Sequence, residues 1–269
     1  MQIKYVDTHC HLQFPEYDAD REEIIEKMSE KGIVGIVVGC DYESSRKAVL
    51  LAEKYDHLFA SIGHMPQLIG DFDAHGMRAL IGHPKVVAVG ECGLDYYRVT
   101  NLSADGKNRQ KVLFKKQIDL AVEYDKPLIV HTRPSQGTMD AYRDLIAILK
   151  VTKFLHPDYH GNIHFFVGGK AEVEALVALN FTVSFTAVIT FARDYDAVIK
   201  AAPFDRILSE TDSPYVAPVT RRGERNDPLA VIDVVNQIAL IRGVGTEIVR
   251  QKLLANTLQL FDLPGRETV

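Results

Sequence analysis

The chain has 269 residues, 46% hydrophobic and 25% charged, ordinary for a globular protein and close to the usual length of one α/β barrel. A formal net charge of −5 excludes nucleic-acid binding through a broad basic surface, so any phosphate recognition must be local. Cys10, Cys40 and Cys92 are odd in number and lack a Cys-x-x-Cys pair, which argues against a disulfide framework or a thiolate zinc site.

Strand-like apolar runs recur along the chain at residues 3–6, 33–38, 58–62, 86–89, 128–130, 163–167, 181–185 and 206–208. Between them lie segments of helical length with mixed apolar and charged spacing, at 20–31, 44–55, 105–124 and 139–150. Short, continuously apolar strands imply burial on both faces, and eight such βα units can close without an exposed edge. An open doubly wound sheet is the competing fold. It often carries a Gly-rich dinucleotide loop after its first strand, whereas this strand ends in Asp7-Thr8-His9-Cys10-His11. The expected fold is therefore α/β, a (β/α)8 TIM barrel, with residues 1–269 forming a single domain. After the last strand, Asp227 caps a helix start with Pro228 in its first turn, leading into 229–241, and 244–261 supplies a closing helix.

The N-terminal residues enter a strand pattern at once, leaving no room for a secretion signal, and the longest apolar runs are too short to span a bilayer. A cytoplasmic location with no membrane contact is expected.

Chemistry on a barrel sits where its strands end. His9 and His11 follow the first strand, Glu91 the fourth, His131 the fifth and Asp212 the eighth, while His164 lies in the sixth. Each alone reads as a hydrogen-bonded structural residue. Together they would be buried polar groups without partners, and a bound cation explains them jointly. Residues two apart on an extended segment project to one side, so His9 and His11 can share a metal while Cys10 packs away. Asp7 has the same parity and is expected to be a weak ligand or to orient an imidazole through its other ring nitrogen.

The motifs Asp7-Thr8-His9-Cys10-His11, Gly90-Glu91-Cys92-Gly93-Leu94-Asp95-Tyr96-Tyr97-Arg98, His131-Thr132-Arg133 and Glu210-Thr211-Asp212-Ser213-Pro214-Tyr215 resemble those of the TatD family, metal-dependent DNases among the amidohydrolase-like barrels. The resemblance covers nearly the whole chain, through His64 and the segment Arg222-Gly223-Glu224-Arg225-Asn226-Asp227-Pro228. It implies two metal sites. His9, His11, Glu91 and Asp212 would hold one ion, and Glu91 would bridge to a second held by His131 and His164. Mixed nitrogen and oxygen ligands suit zinc, manganese or magnesium, with the imidazoles favouring the first two.

Two departures stand out. The family's His-Cys-Phe-Ser-Gly is here His164-Phe165-Phe166-Val167-Gly168, preceded by His156-Pro157-Asp158-Tyr159-His160, so His160 is a rival ligand. His164 is preferred because it alone lies inside the apolar strand, with the Gly168-Gly169 turn following. The usual Gly-x-His-Pro is here Gly63-His64-Met65-Pro66.

The implied reaction is phosphodiester hydrolysis, 3′–5′ on single-stranded DNA, with two cations roughly 3.5–4 Å apart activating a water. Glu91 and Asp212 are the catalytic carboxylates, and Asp212 is the candidate proton acceptor. His64, Arg133 and Arg98 are expected to grip phosphate. Tyr96, with Tyr97 and Tyr215, is expected over the same face, where a ring stacks an unpaired base. Arg221, Arg222 and Arg225 can track a backbone, although for Arg221 a solvated loop is the simpler reading. Two rivals remain: hydrolysis of a carboxylic ester or amide, such as an aminoacyl ester on RNA, on the same metals; and a non-catalytic binding module, disfavoured by the lack of a closed cysteine-rich site.

Overall fold

Strands that are apolar on both faces need cover on both, and the chain supplies it by winding each one back through a helix. A computed structural model describes residues 2–68, 72–98 and 103–264. Eight parallel strands pair in chain order: β1 (Tyr5–Cys10), β2 (Ile33–Val38), β3 (Leu58–Ile62), β4 (Val86–Asp95), β5 (Leu128–Arg133), β6 (Gly161–Ile163), β7 (Phe181–Phe185) and β8 (Ile207–Ser209). Around them run α1 (Arg21–Lys31), α2 (Tyr42–Lys54), α3 (Ala74–Ile81), α4 (Ala104–Glu123), α5 (Asp140–Leu155), α6 (Lys170–Ala178), α7 (Asp196–Ala201), α8 (Val231–Arg242) and α9 (Thr246–Leu260). This is the nearly closed TIM barrel expected from the rhythm of the sequence.

Alternation along the strands sorts the side chains into two cores. On β2, Ile33 and Val37 join the layer beneath the helices with Ile25 and Met28. Val34, Ile36 and Val38 join a second cluster with Phe59, Ile129 and Leu208, closed by Leu258 and Phe261 at the end of α9. On β6 and β7 and just past β8, polar side chains are mutually bonded: Asn162 Nδ2 donates to Ser184 Oγ at 2.7 Å, and Ser184 Oγ donates to Glu210 at 2.6 Å. Among the described residues, no single helix is long and apolar enough to cross a membrane.

Two boundaries differ from expectation where the site is built. β6 stops at Ile163 because Phe165 takes a left-handed φ of 44° and sends its N–H to Glu210 Oε1 at 2.5 Å. His164 therefore stands at the strand's tip and not within it. β1 slips in its pairing with β2 between Asp7 and Cys10, so the parity shared by His9 and His11 does not extend back to Asp7. Asp7 orients no imidazole ring. Its carboxylate instead accepts from Thr211 Oγ1 at 2.6 Å, Thr211 N at 2.9 Å and the backbone N of His9 at 3.2 Å.

Those bonds belong to the seam where β8 meets β1. It is held by Thr8 Oγ1 to Ser209 O at 3.1 Å, Asp212 N to His9 O at 2.9 Å and His11 N to Ser213 O at 2.8 Å. The loop beyond β8 is pinned from within by buried Asn226, whose Nδ2 donates to the carbonyls of Thr211, Tyr215 and Val216 at 3.2, 2.8 and 3.2 Å. Asn226→Ala leaves these carbonyls without their donor and should lower unfolding free energy by at least about 2 kcal/mol, read as a lowered urea midpoint at unchanged slope.

Candidate metal centre

Glu91 stands at the middle of the mouth. Gly90 (φ 154°) and Gly93 (φ 132°) on either side of it have no room for a Cβ, because one would strike the carbonyl oxygens of Ile129 and His131 on β5. Glycine thus lets β4 lie close against β5, which brings Glu91 beside His131.

The ligand atoms gather in two groups. In the first, His9 Nε2 and His11 Nε2 are 3.2 Å apart, Asp212 Oδ1 is 3.8 and 3.7 Å from them, and Glu91 Oε2 is 3.7 Å from His9. In the second, His131 Nδ1, His164 Nε2 and Glu91 Oε1 form a triangle with sides of 3.2, 3.1 and 2.9 Å. Nitrogen and oxygen ligands at roughly 2.0–2.2 Å on a tetrahedral ion lie roughly 3.3–3.6 Å from one another. The first group brackets that scale, and the second, at 2.9–3.2 Å, is slightly tighter.

Electrostatics fit a cation. Burial pushes the Glu91 carboxyl up, and His164, His131 and His9 more than reverse this, holding it well below the usual carboxylate range. Burial pushes His164 and His131 down. The carboxylates Glu91 and Glu210 reverse this for His164, and Asp95 and Glu91 for His131, raising both. Without a metal the cluster balances its carboxylates by holding protons. A divalent ion supplies the same charge and frees the nitrogen lone pairs.

Each group also has outer support. His11 Nδ1 hydrogen-bonds Val38 O at 2.9 Å, which turns Nε2 inward. His131 Nε2 lies 2.9 Å from Asp95 Oδ2, and Asp95 also accepts from Gln67 Nε2 and from the backbone N–H groups of Tyr97 and Arg98. Glu210 Oε1 is 3.6 Å from His164 Nδ1.

A family profile described as TatD related DNase matches residues 6–262. The chain belongs to the TatD family. It is 36% identical over 261 residues to the uncharacterized metal-dependent hydrolase YabD of Bacillus subtilis (strain 168), covering 95% of this chain and 98% of that one. It is 30% identical over 269 residues to a protein of Pantoea vagans (strain C9-1) named 3′-5′ ssDNA/RNA exonuclease TatD, covering 96% and 99%. Among solved structures, YjjV, a TatD homolog from Escherichia coli K12, superposes with a TM-score of 0.87 at 29% identity over 98% of this chain and 100% of that one. A metal-dependent hydrolase of the TatD family is thus established.

In this TatD-family chain, a cleft of about 400 Å3 opens above the ligand groups. His11, Glu91, His131, His164 and Asp212 reach it, with Arg98 and Arg133, and aromatic walls come from Phe14, Phe165, Tyr195 and Tyr215. His9 is sealed beneath. The structure does not bring the other two substrate-binding candidates to the cleft. His64 is buried off it, its backbone bonded to the Gln117 side chain, while its neighbour Met65 lines the wall. Tyr96 is buried too, its hydroxyl donating to Asp144 Oδ2 at 2.8 Å with Lys107 over its ring, whereas the next residue, Tyr97, is exposed. His160 precedes β6 and its Nδ1 bonds Asp158 O, so it lies at the opposite end of the strand from the mouth.

Asp95 and Glu210, to which the motifs assign no role, support the ligands from outside. For Asp95 the signal was present, since Glu91, Gly93 and Asp95 share parity on an extended strand. No such signal marked Gln67 or Met65.

The His160→Ala variant should retain full metal content after dialysis, while His164→Ala loses at least part of it by atomic absorption. Unchanged content in His164→Ala would remove this residue from the centre. Asp95→Asn should weaken metal affinity about 10–100-fold without unfolding the chain. Because His131 and His164 hold protons above the ordinary histidine value of 6.5, protons compete with metal. Metal uptake near neutral pH should release protons, seen by calorimetry in buffers of different ionisation enthalpy, and acidification should strip the metal.

Proposed function

We propose that this TatD-family chain is a deoxyribonuclease that trims single-stranded DNA from its 3′ end, using divalent metal that His9, His11, Glu91, His131, His164 and Asp212 would hold. The observation that carries this reading is one buried carboxylate facing two ligand groups, Oε2 towards His9 and Oε1 towards His131 and His164, at the floor of a cleft bearing guanidinium groups. The Pantoea vagans relative named as an exonuclease adds support for the substrate class.

When bound, the ions supply Lewis-acid stabilisation of phosphate and a lowered water pKa. The donor set of four imidazoles and two carboxylates favours zinc or manganese over magnesium. The side chains do the rest. Asp212 is 13% exposed, next to the cleft, and is held ionised: burial pushes its carboxyl up, and the neighbouring His11, His9 and His164 bring it below its ordinary value. It is therefore placed to take a proton from the attacking water. Arg98 and Arg133 have no carboxylate within 4 Å among the described residues, so their charge is free for non-bridging phosphate oxygens. Phe14, Phe165 and Tyr215 offer faces for an unpaired base. The reducing cytoplasm suits three cysteines that are all buried and unpaired.

Metal-loaded protein should shorten 5′-labelled single-stranded DNA from the 3′ end. Glu91→Ala and Asp212→Ala should each abolish this while circular dichroism is unchanged. An intact ladder with Mg2+, Mn2+ and Zn2+ alike would overturn the proposal, and release of an acid from an intact aminoacylated polynucleotide would redirect it to acyl chemistry.

A further inference from the structure

The basic segment after β8 resolves into three different environments. Arg221 Nη1 pairs with Asp227 at 2.7 Å, and Arg225 Nη2 pairs with Asp20 at 2.5 Å. Arg193, on the neighbouring loop, lies 3.6 Å from Asp196. Arg222 differs. It is exposed, has no carboxylate within 4 Å among the described residues, and its guanidinium lies 4.4 Å over the ring of Phe191.

The two loops that carry this pair are tied together, since Val219 N donates to Thr190 Oγ1 at 2.9 Å. Phe191 ends the short 3-10 turn after β7, and Tyr195, four residues on, lines the cleft. The same combination recurs at the mouth: the guanidinium of Arg133 lies 4.2 Å over the ring of Tyr97. That pair is carried by the end of β5 and the segment after β4, whereas Arg222 and Phe191 are carried by the loops after β8 and β7.

A guanidinium held over a ring keeps its N–H groups available to a ligand. That arrangement offers a stacking surface for a base and a charge for phosphate, and it does not depend on sequence. We propose that Arg222 on Phe191 forms a second strand-binding subsite, outside the cleft, which takes a nucleotide of single-stranded polynucleotide away from the scissile bond. The ligand class rests on the nuclease reading; the subsite contributes nothing to bond cleavage. Its consequence is a preference for long substrates over short ones.

Binding of a fluorescein-labelled, phosphorothioate-linked thymidine 20-mer, resistant to cleavage, to the metal-loaded protein tests this by anisotropy. Arg222→Ala should weaken binding at least about fivefold, and make the dependence of log affinity on log salt shallower by about 0.7. Arg222→Lys should keep the salt slope and lose part of the affinity. In turnover, the ratio of kcat/KM for a cleavable 20-mer to that for a thymidine dinucleotide should fall at least about fivefold in Arg222→Ala. Because Arg222 is exposed, both variants should melt like the parent protein. Equal 20-mer affinity in parent and Arg222→Ala, no binding by the parent, or equal loss on long and short substrates would overturn the inference. If the parent cleaves neither substrate the nuclease reading fails, and the binding arm still decides the subsite.

Discussion

The charge of Glu91, almost fully buried at the mouth of the barrel, is the constraint around which the remaining site residues are arranged. An isolated buried carboxylate costs several kcal/mol, and here three imidazole rings from β1, β5 and the tip of β6 close on its two oxygens. Those rings carry their own cost, offset in part by Asp95, which lies 2.9 Å from His131 Nε2, and by the negative charge of Glu210, 3.6 Å from His164 Nδ1. Polarity spreads outward from Glu91 until it reaches bonded groups, and the polar β6–β8 interior is the far end of that chain.

Barrel closure and site assembly are the same event. Among the described residues, β8 and β1 share no regular ladder. Their junction rests on backbone bonds at His9, His11, Asp212 and Ser213, with Asp7 reaching across to Thr211. A chain that failed to close here would also separate His9 and His11 from Asp212. Asp212 takes a left-handed backbone conformation, φ 53°, at that junction. A non-glycine residue held there is uncommon, and the surrounding bonds over-determine it.

The acidic balance of the chain and its proposed anionic substrate are compatible because positive charge is placed and not spread. Arg221 and Arg225 serve local carboxylates, whereas Arg98, Arg133 and Arg222 do not. Two of these unpaired guanidinium groups lie on aromatic rings, which limits their freedom before any ligand arrives and so lowers the entropy lost on binding.

Much of this was legible in the chain itself. The βα rhythm, the number of strands and the six residues that meet at the mouth follow from apolar periodicity and from polar residues at strand ends, both local properties. What the sequence could not determine depends on rotation of side chains about strands that slip or turn. A bulge in β1 moved Asp7 from the metal face to the seam, a left-handed turn at Phe165 put His164 at a tip, and the β3 loop buried His64 while exposing Met65 to the cleft. Tyr96 and Tyr97 are adjacent and alike, yet only packing against Asp144 and Lys107 decides that the first is core and the second rim. The sequence alone determined which elements and which chemistry are present; only the tertiary structure decided which way each side chain faces, because one residue of slippage in an extended chain reverses the face.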